Sequence, residues 1–199
     1  NANNITINNS GVYYFNDSRT GYGIYLSNVS NSSLNNITFA FGNDSGTGLF
    51  ITASNGVNVS NSAAIDVYTA FQTDVNTGNH SFKNNSVNNS DIGFYISSFN
   101  TVLIDNNVSY TYYAFTLGGF SNNVSNLNIT NSYYGFYLDT DNISNASTHN
   151  VSNTTTIDGK PLYYNTSCGS GNVVLGATGN HAAIYLFNCD VSATNPISI

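Results

Sequence analysis

The chain's acidic side chains are ten aspartates, and one pair of them has a spacing that could support chemistry. Asp139 and Asp141 are two positions apart, so in a strand their carboxylates would share one face. Such a pair could form half of a Ca²⁺ site or the acid and base of a glycosidase. Two solvated aspartates at a turn are the interpretation that the residue types favour. We therefore expect no enzymatic activity and no cofactor, with Asp139 and Asp141 as the candidates if a metal binds.

The three histidines are the other potential metal ligands, and they do not complete a site. His80, His149 and His181 lie at different phases of the repeat described below and have no neighbouring cysteine or glutamate. The chain contains no Met, so a copper site of Met and His is excluded. The histidines therefore predict no metal centre.

Charge and composition exclude several further classes of function. The 199 residues carry a formal net charge of −7, with Arg19, Lys83 and Lys160 as the only cations. This balance opposes a nucleic-acid surface that follows phosphates, and it opposes an anionic-membrane patch. No stretch reaches the ~20 apolar residues that a membrane span needs. Glu and Met are absent and Gln occurs once, so a helical protein is not expected.

The apolar residues form a repeat, in which a small residue precedes an apolar residue, a variable residue and a second apolar residue. Its copies are Gly23-Ile24-Tyr25-Leu26, Gly48-Leu49-Phe50-Ile51, Ala70-Phe71-Gln72-Thr73, Gly93-Phe94-Tyr95-Ile96, Ala114-Phe115-Thr116-Leu117, Gly135-Phe136-Tyr137-Leu138 and Ala183-Ile184-Tyr185-Leu186. The first six follow one another at a nearly constant interval, and the last follows after two such intervals. Two more columns precede the small residue: Val87, Val108 and Ile129, and before them Phe82, Leu103 and Val124.

This period predicts an all-β fold of short strands joined by Asn, Ser, Asp and Gly corners. Stacking the units gives a single-stranded parallel β-helix, or solenoid, of about nine turns of about 21–25 residues. Equivalent residues would form ladders, one of them being Ile24, Leu49, Phe71, Phe94, Phe115 and Phe136. A β-propeller is the alternative, although its blades need ~40–50 residues each. We expect one domain over residues 1–199, with regular turns at 1–159 and the last turns at 160–199.

The most specific segment is Thr156-Ile157-Asp158-Gly159-Lys160-Pro161-Leu162-Tyr163-Tyr164, continued by Asn172-Val173-Val174 and Ile184-Tyr185-Leu186-Phe187-Asn188-Cys189. These units resemble the parallel β-helix repeats of the NosD-like family, also called carbohydrate-binding and sugar-hydrolase repeats, which are abundant in archaeal cell-surface proteins. The resemblance covers most of the chain, although each repeat is degenerate. It implies a right-handed β-helix and an extracellular setting. It implies little about activity, because the fold hosts enzymes, binding modules and scaffolds.

Two cysteines, Cys168 and Cys189, are separated by one repeat. Equivalent positions on adjacent turns are about one strand spacing apart, within the ~4.4–6.8 Å Cα range of a disulfide. We therefore expect a disulfide that staples the last turns, with two free core thiols as the alternative. A disulfide would place the protein outside the cytosol.

Sequons of the form Asn-x-Ser/Thr occur 19 times, about twice the number that random placement of 37 Asn and 46 Ser or Thr gives. They predict N-glycosylation of a subset of sites. The alternative is structural, because polar corners and outward faces also place Asn two positions before Ser or Thr. The candidates are Asn4, Asn8, Asn16, Asn28, Asn31, Asn36, Asn43, Asn58, Asn79, Asn84, Asn88, Asn107, Asn123, Asn128, Asn142, Asn145, Asn150, Asn153 and Asn165.

Outward tyrosines predict an aromatic stripe on the surface. Its candidates are Tyr25, Tyr95, Tyr112, Tyr113, Tyr133, Tyr134, Tyr137 and Tyr185. The pairs at 112–113 and 133–134 are one repeat apart and should stack. The stripe could bind carbohydrate or a second copy of the chain, or could simply stabilise the outside of the rod.

Neither terminus carries a recognisable cap, and unblocked strand edges promote strand addition. We expect either an excerpt of a longer surface protein or copies that stack end to end. The sequence thus predicts an extracellular, N-glycosylated structural protein that assembles with itself into a filament, sheath or surface layer. A carbohydrate-binding or carbohydrate-active, pectin-lyase-like β-helix is the alternative, and an adhesin stalk is a second alternative.

Overall fold

The computed structural model of the protein describes residues 2–15, 21–139, 143–166, 173–174, 182–187 and 191–192. Strands make up 67% of it and helices 2%, which confirms the all-β prediction. Parallel coils stack into a β-solenoid of about 7 turns. About nine turns were expected, but some coils exceed the period of the sequence repeat, and the chain after residue 166 is described only in short segments. The right-handed sense implied by the resemblance stays a prediction.

Twenty strands and one short helix form the described chain. The strands are β1 (Ala2–Asn3), β2 (Thr6–Tyr13), β3 (Tyr22–Ser27), β4 (Val29–Ser30), β5 (Ser33–Thr52), β6 (Asn58–Ser60), β7 (Ala63–Thr73), β8 (Ser81–Lys83), β9 (Ser86–Ile96), β10 (Val102–Ile104), β11 (Asn107–Leu117), β12 (Asn123–Ser125), β13 (Asn128–Thr130), β14 (Tyr134–Leu138), β15 (Asn150–Val151), β16 (Thr156–Ile157), β17 (Lys160–Asn165), β18 (Val173–Val174), β19 (Ala183–Leu186) and β20 (Val191–Ser192). The helix is α1 (Ile143–Ala146).

Strand registers confirm the predicted ladders. The motif column runs through paired positions Ile24, Leu49, Phe71, Phe94, Phe115 and Phe136. The two preceding columns are also in register, with Phe82, Leu103 and Val124 in one and Val87, Val108 and Ile129 in the other. The same registers divide the chain into coil 1 (2–28), coil 2 (29–53), coil 3 (54–76), coil 4 (77–97), coil 5 (98–118), coil 6 (119–145) and coil 7 (from 146).

Phenylalanine rings fill the centre of the solenoid. Phe71 stacks on Phe94 with ring centroids 5.0 Å apart, and Phe82 meets these rings edge-on at 6.0 and 5.9 Å. All three side chains are fully buried. Aromatic pairs in such arrangements contribute roughly 0.5–1.5 kcal/mol each beyond the area that they bury. No coil can bury these rings alone, so the stack of coils supplies the stability.

Left-handed residues turn the chain at the corners, and most of them are Asn or Asp, whose short polar side chains tolerate positive φ. The residues of one corner column have φ angles between 51° and 58°: Asn9, Asn36, Asn61, Asn84, Asp105 and Asn126. Their side chains also bond between coils, as where Asn84 donates to Asn61 at 2.8 Å. Corner positions thus account for part of the Asn excess in the composition.

Two internal columns of polar side chains receive backbone N–H groups that the corners leave unpaired. In the first, the N–H of Ser62 donates to Asn85 Oδ1 and the N–H of Asn85 donates to Asn106 Oδ1, each at 3.0 Å. In the second, the N–H of Val57 donates to His80 Nδ1 at 3.1 Å. The three accepting side chains are buried at 1% exposure. The two asparagines occupy equivalent positions on coils 4 and 5, so a column of acceptors runs along the inside of the solenoid.

The end of the described solenoid departs from parallel stacking. Strands β16 and β17 form an antiparallel hairpin, in which Asp158 and Gly159 both have positive φ, as a two-residue Asp-Gly turn requires. Strand β19 then pairs in parallel with β17. No helix in the part of the chain that the structure describes is long and apolar enough to span a membrane.

Candidate functional site

The exposed face of strands β3, β5, β7, β9, β11 and β14 carries most of the predicted aromatic stripe. Tyr25, Tyr95 and Tyr137 occupy one outward column, with Phe50, Gln72 and Thr116 at the intervening positions. Tyr25 and Tyr137 are exposed and Tyr95 is half-buried. Gln72 separates the aromatic residues of coils 1 and 2 from Tyr95 on coil 4, and Thr116 separates Tyr95 from Tyr137 on coil 6.

The predicted tyrosine pairs do stack, and they form a four-ring array across coils 5 and 6. Tyr112 stacks on Tyr133 with centroids 5.1 Å apart and planes 4° apart, and Tyr113 stacks on Tyr134 at 4.9 Å and 15°. The two stacks meet edge-on, with Tyr133 and Tyr134 at 4.7 Å and 86°. Tyr112, and then Tyr133, raises the pKa of Tyr134, because the negative charges of neighbouring phenolates would repel each other.

Tyr185 does not belong to the exposed stripe, contrary to the sequence prediction. Its strand β19 pairs with β17, so that Tyr185 lies beside Tyr164. Its ring meets Phe136 edge-on at 5.6 Å, and its hydroxyl donates to the Phe136 carbonyl at 2.7 Å. The hairpin before β17 changes the pairing, and the side chain consequently packs against the core.

A groove of about 530 Å³ runs across coils 2 to 5 beside this face. Coils 3, 4 and 5 each contribute a left-handed corner residue and, two positions later, an outward residue. The pairs are Asp66 with Tyr68, Asn89 with Asp91, and Tyr110 with Tyr112. Buried Val67 and Ser90 lie between the two walls. The groove therefore presents carboxylate and amide oxygens next to tyrosine rings.

A second groove of about 340 Å³ continues from the first along the same surface. The two share Tyr68, and the second is also lined by Tyr22, Gln72 and Tyr95. Sequence reasoning missed both grooves, because it treated the aspartates as isolated corner residues. The signal was present in the i, i+2 spacing of Asp66 with Tyr68 and of Asn89 with Asp91, one repeat apart.

The predicted aspartate pair is described only in part. Asp139 accepts a hydrogen bond from the Tyr95 hydroxyl at 2.7 Å, across two coils. This hydrogen bond is the main reason why the pKa of Tyr95 is raised. Asp141 lies outside the described residues, as do Cys168 and Cys189. Among the residues that the structure describes, no three His, Cys, Asp or Glu side chains form a group that could hold a metal ion.

Two histidines share an internal column, so the prediction of different repeat phases is wrong for them. His80, Thr101, Asn122 and His149 are equivalent positions on coils 4 to 7, and the N–H of Asn122 donates to His149 Nδ1 at 3.2 Å. Burial lowers the pKa of each histidine to about 4. The two histidines are three coils apart, a relation that the greater length of coil 6 obscures in the sequence.

The sequon asparagines are predominantly exposed. Of the 19 candidates, Asn16 and Asn142 lie outside the described residues and the side chain of Asn43 is not described. Fourteen of the other 16 are exposed, and Asn145 and Asn165 are half-buried. Six donate their amide to a side chain of a neighbouring coil: Asn36, Asn79, Asn84, Asn88, Asn128 and Asn150. The same asparagines can thus serve as ladder residues and as accessible acceptors.

Comparisons with known proteins name no relative. No protein-family model, curated protein or solved structure matches the chain. The resemblance to NosD-like repeats therefore rests on the residues quoted above.

Proposed function

We propose that the protein is an extracellular structural β-solenoid that carries N-glycans and assembles with itself into a filament, sheath or surface layer. The observation that carries this proposal is the placement of the sequons, because 14 of the 16 with described side chains lie exposed on corners and outward columns. The low charge supports glycosylation as well. With only 7% charged residues, charge repulsion between strand edges of separate molecules is weak, and glycans would be the layer that keeps the protein soluble. The resemblance to archaeal surface repeats supports the same setting.

Glycosylation is tested by the intact mass of material from its native source before and after glycan release. We expect a mass above the 21.3 kDa polypeptide that falls on release, with glycopeptides mapping to exposed sequons such as Asn58. Asn61 is the matched control, because it is an exposed asparagine that is not followed by Ser or Thr two positions later. A native mass equal to the polypeptide would contradict this part of the proposal.

Self-assembly is tested by sedimentation and electron microscopy over a range of protein concentrations. We expect a mass that rises with concentration and particles that lengthen along one axis. A sample that stays monomeric at high concentration would contradict assembly and would favour a stalk segment. Thiol labelling without reductant tests the accompanying Cys168–Cys189 disulfide, and two reactive thiols would exclude it.

Carbohydrate binding is the second candidate, and the groove beside the tyrosines favours it. The rings of Tyr68, Tyr110 and Tyr112 offer faces on which the C–H face of a sugar can pack. Asp66 and Asp91 can accept hydrogen bonds from sugar hydroxyls on the same groove. A cleft of this size with convergent polar groups is typical of ligand sites.

Titration of neutral oligosaccharides, followed by NMR or calorimetry, tests this second candidate. We expect Asp91→Asn and Tyr110→Leu to weaken binding by about tenfold or more, which corresponds to the loss of one good contact of about 1.4 kcal/mol. Asp105→Asn and Tyr137→Leu are matched controls, since both residues are exposed and lie outside the groove. Equal affinity in all four variants would exclude the groove as the binding site.

A further inference from the structure

The four-tyrosine array holds phenol rings of adjacent coils in stacking contact. Tyr112 and Tyr113 belong to coil 5, and Tyr133 and Tyr134 belong to coil 6. Each residue stacks on its equivalent in the neighbouring coil, with centroid distances of 5.1 and 4.9 Å. Two pairs of phenols, far apart along the chain, are therefore held next to each other.

The array is open to solvent. Tyr133 is 72% exposed, Tyr112 is 49% exposed and Tyr134 is 43% exposed, while Tyr113 is half-buried beside its exposed partner Tyr134. An oxidising enzyme can consequently approach the exposed rings. Each ring can also turn about its Cβ–Cγ bond and bring an ortho carbon towards its neighbour. Buried phenols could do neither.

We propose that Tyr112–Tyr133 and Tyr113–Tyr134 are sites of oxidative cross-linking, at which a peroxidase with hydrogen peroxide joins coils 5 and 6 by dityrosine. Each tyrosine loses one electron and one proton to give a phenoxyl radical. The two radicals form one carbon–carbon bond between their ortho carbons, and each ring regains aromaticity by shifting its ortho hydrogen to the phenol oxygen. One hydrogen peroxide accepts the two electrons and two protons and becomes two waters, so the protein loses two hydrogens in total.

Proximity favours this bond within one chain over a bond between two chains. Partners fixed side by side react as if present at very high local concentration. The edge-on contacts between the two stacks, such as Tyr112 with Tyr113 at 4.9 Å, also allow a radical formed on one ring to reach the others. Whichever ring is oxidised first, a coupling partner on the adjacent coil is in stacking contact with it.

Tyr14 provides a matched control within the same molecule. It is the most exposed tyrosine described, at 76%, and it also stacks on an aromatic ring of the next coil, at 5.2 Å. That ring is Phe41, which has no phenol and cannot form a phenoxyl radical. Tyr14 is therefore exposed and stacked, but it has no neighbouring phenol in the stack with which to form dityrosine.

The test treats dilute protein with peroxidase and hydrogen peroxide, then measures dityrosine fluorescence, monomer mass and thermolysin peptides. We expect a fluorescent monomer that has lost two hydrogens per bond, with cross-linked peptides joining the Tyr112–Tyr113 segment to the Tyr133–Tyr134 segment. We also expect a higher unfolding midpoint, because the bond ties adjacent coils together. Tyr133→Phe with Tyr134→Phe should abolish most of the monomer's signal and keep the stacking, whereas Tyr14→Phe should leave it unchanged.

Two results would overturn the proposal. One is a fluorescence yield of the double Phe variant equal to that of the unaltered protein, with circular dichroism showing that both are folded. The other is a product whose cross-links join separate molecules or lie mainly elsewhere, such as between Tyr22 and Tyr25, whose rings are 5.2 Å apart at 53°. Neither result depends on whether the protein is glycosylated or forms filaments.

Discussion

The two internal polar columns run through coils 3 to 5 and on into coils 6 and 7. Their polar side chains are fully hydrogen-bonded in coils 3 to 5 but not in coil 7. In coils 4 and 5, Asn85 and Asn106 pair with each other and with backbone groups, and His80 contacts Thr77 through Nε2. In coil 7, the equivalent positions are Thr155 and His149, and both Thr155 Oγ1 and His149 Nε2 are buried without a hydrogen-bond partner. The same kind of internal position is satisfied in one region and unsatisfied in the other.

Residue type explains this difference. Thr77 lies three positions before His80 and bonds to its Nε2, whereas the residue three positions before His149 is Ala146, which has no hydroxyl. The corner bond itself persists across the longer coil 6, since the N–H of Asn122 donates to His149 Nδ1. In the other column, Leu127 is the residue equivalent in register to Thr155, and its side chain cannot form a hydrogen bond. The columns are therefore complete only where neighbouring positions carry polar side chains.

The largest expected effect comes from opening a cavity in the better-packed region. Phe94→Ala removes a ring with 0% exposure that contacts Phe71, Phe82 and Phe115, and we expect a loss of about 4 kcal/mol in the free energy of unfolding. Phe136→Ala should cost less, about 2–3 kcal/mol, because Phe136 is 7% exposed and stacks on one fully buried ring, that of Phe115. Denaturant unfolding of both variants measures the difference. Equal losses would mean that coil 6 is packed as well as coil 4.

Much of the fold could be predicted from the sequence because its columns repeat at nearly constant spacing. The ladder from Ile24 to Phe136 required only the recurrence of the small-apolar-x-apolar motif. The stacking of Tyr112 on Tyr133 followed from the same period. Side chains that recur in register are predictable, because one strand spacing fixes their neighbours.

Features that depend on an irregular coil or on a corner could not be predicted in this way. The link between His80 and His149 crosses the longer coil 6, and the Asp158-Gly159 hairpin reverses the chain where another parallel turn was expected. The groove arises from left-handed backbone at Asp66 and at Tyr110. Positive φ at a tyrosine is uncommon and is imposed by the neighbouring coils, so local propensity gives no signal for it.

The next largest effect is expected in the asparagine column, where Asn106 is fully hydrogen-bonded and Thr155, at the end of the column, has a hydroxyl without a partner. Asn106 accepts from the N–H and the amide of Asn85 and donates to the Phe82 carbonyl, so Asn106→Leu leaves several buried groups unpaired. We expect a loss of about 3 kcal/mol. Thr155→Val removes a hydroxyl that has no partner, so it should be neutral or stabilise by up to about 1 kcal/mol. Urea unfolding checks both, and a large loss for Thr155→Val would show that its hydroxyl is bonded.

Acid should weaken both regions through the buried histidines. Each has a pKa of about 4 when folded and an ordinary value of 6.5, so the unfolded chain binds more protons between these two values. The stability that comes from keeping these histidines neutral is therefore present above pH 6.5 and is lost progressively as the pH drops towards 4. At pH 5 the expected loss is about 2 kcal/mol per histidine. Thermal unfolding across this range measures it.

Asparagine variants separate the two histidines. Asn122 lies in the same column and accepts the N–H of Thr101 at 2.8 Å, so His80→Asn and His149→Asn preserve an acceptor without a titrating group. Each variant should flatten the pH dependence by one proton, and the double variant by two. An unchanged slope in either single variant would assign the acid sensitivity to other groups.

The smallest expected effect converts the satisfied histidine into a copy of the unsatisfied one. The Val57 N–H donates to His80 Nδ1, so Nε2 carries the hydrogen and donates to Thr77 Oγ1, which in turn donates to the Ser54 carbonyl at 2.6 Å. Thr77→Val keeps the side chain's volume and removes this link. We expect a loss of about 1.5 kcal/mol at neutral pH, because two buried groups lose one shared partner.

His80 in the Thr77→Val protein would then resemble His149, with one ring nitrogen bonded and the other without a partner. Because the hydroxyl can accept from Nε2–H in either protonation state of the ring, its removal should leave the pH dependence of unfolding nearly parallel to that of the unaltered protein. Parallel curves offset by a constant free energy would confirm that the side chain three positions before each histidine, Thr77 or Ala146, sets the difference between the two regions. Coincident curves would show that Thr77 contributes nothing and that the two histidines are equivalent despite their different neighbours.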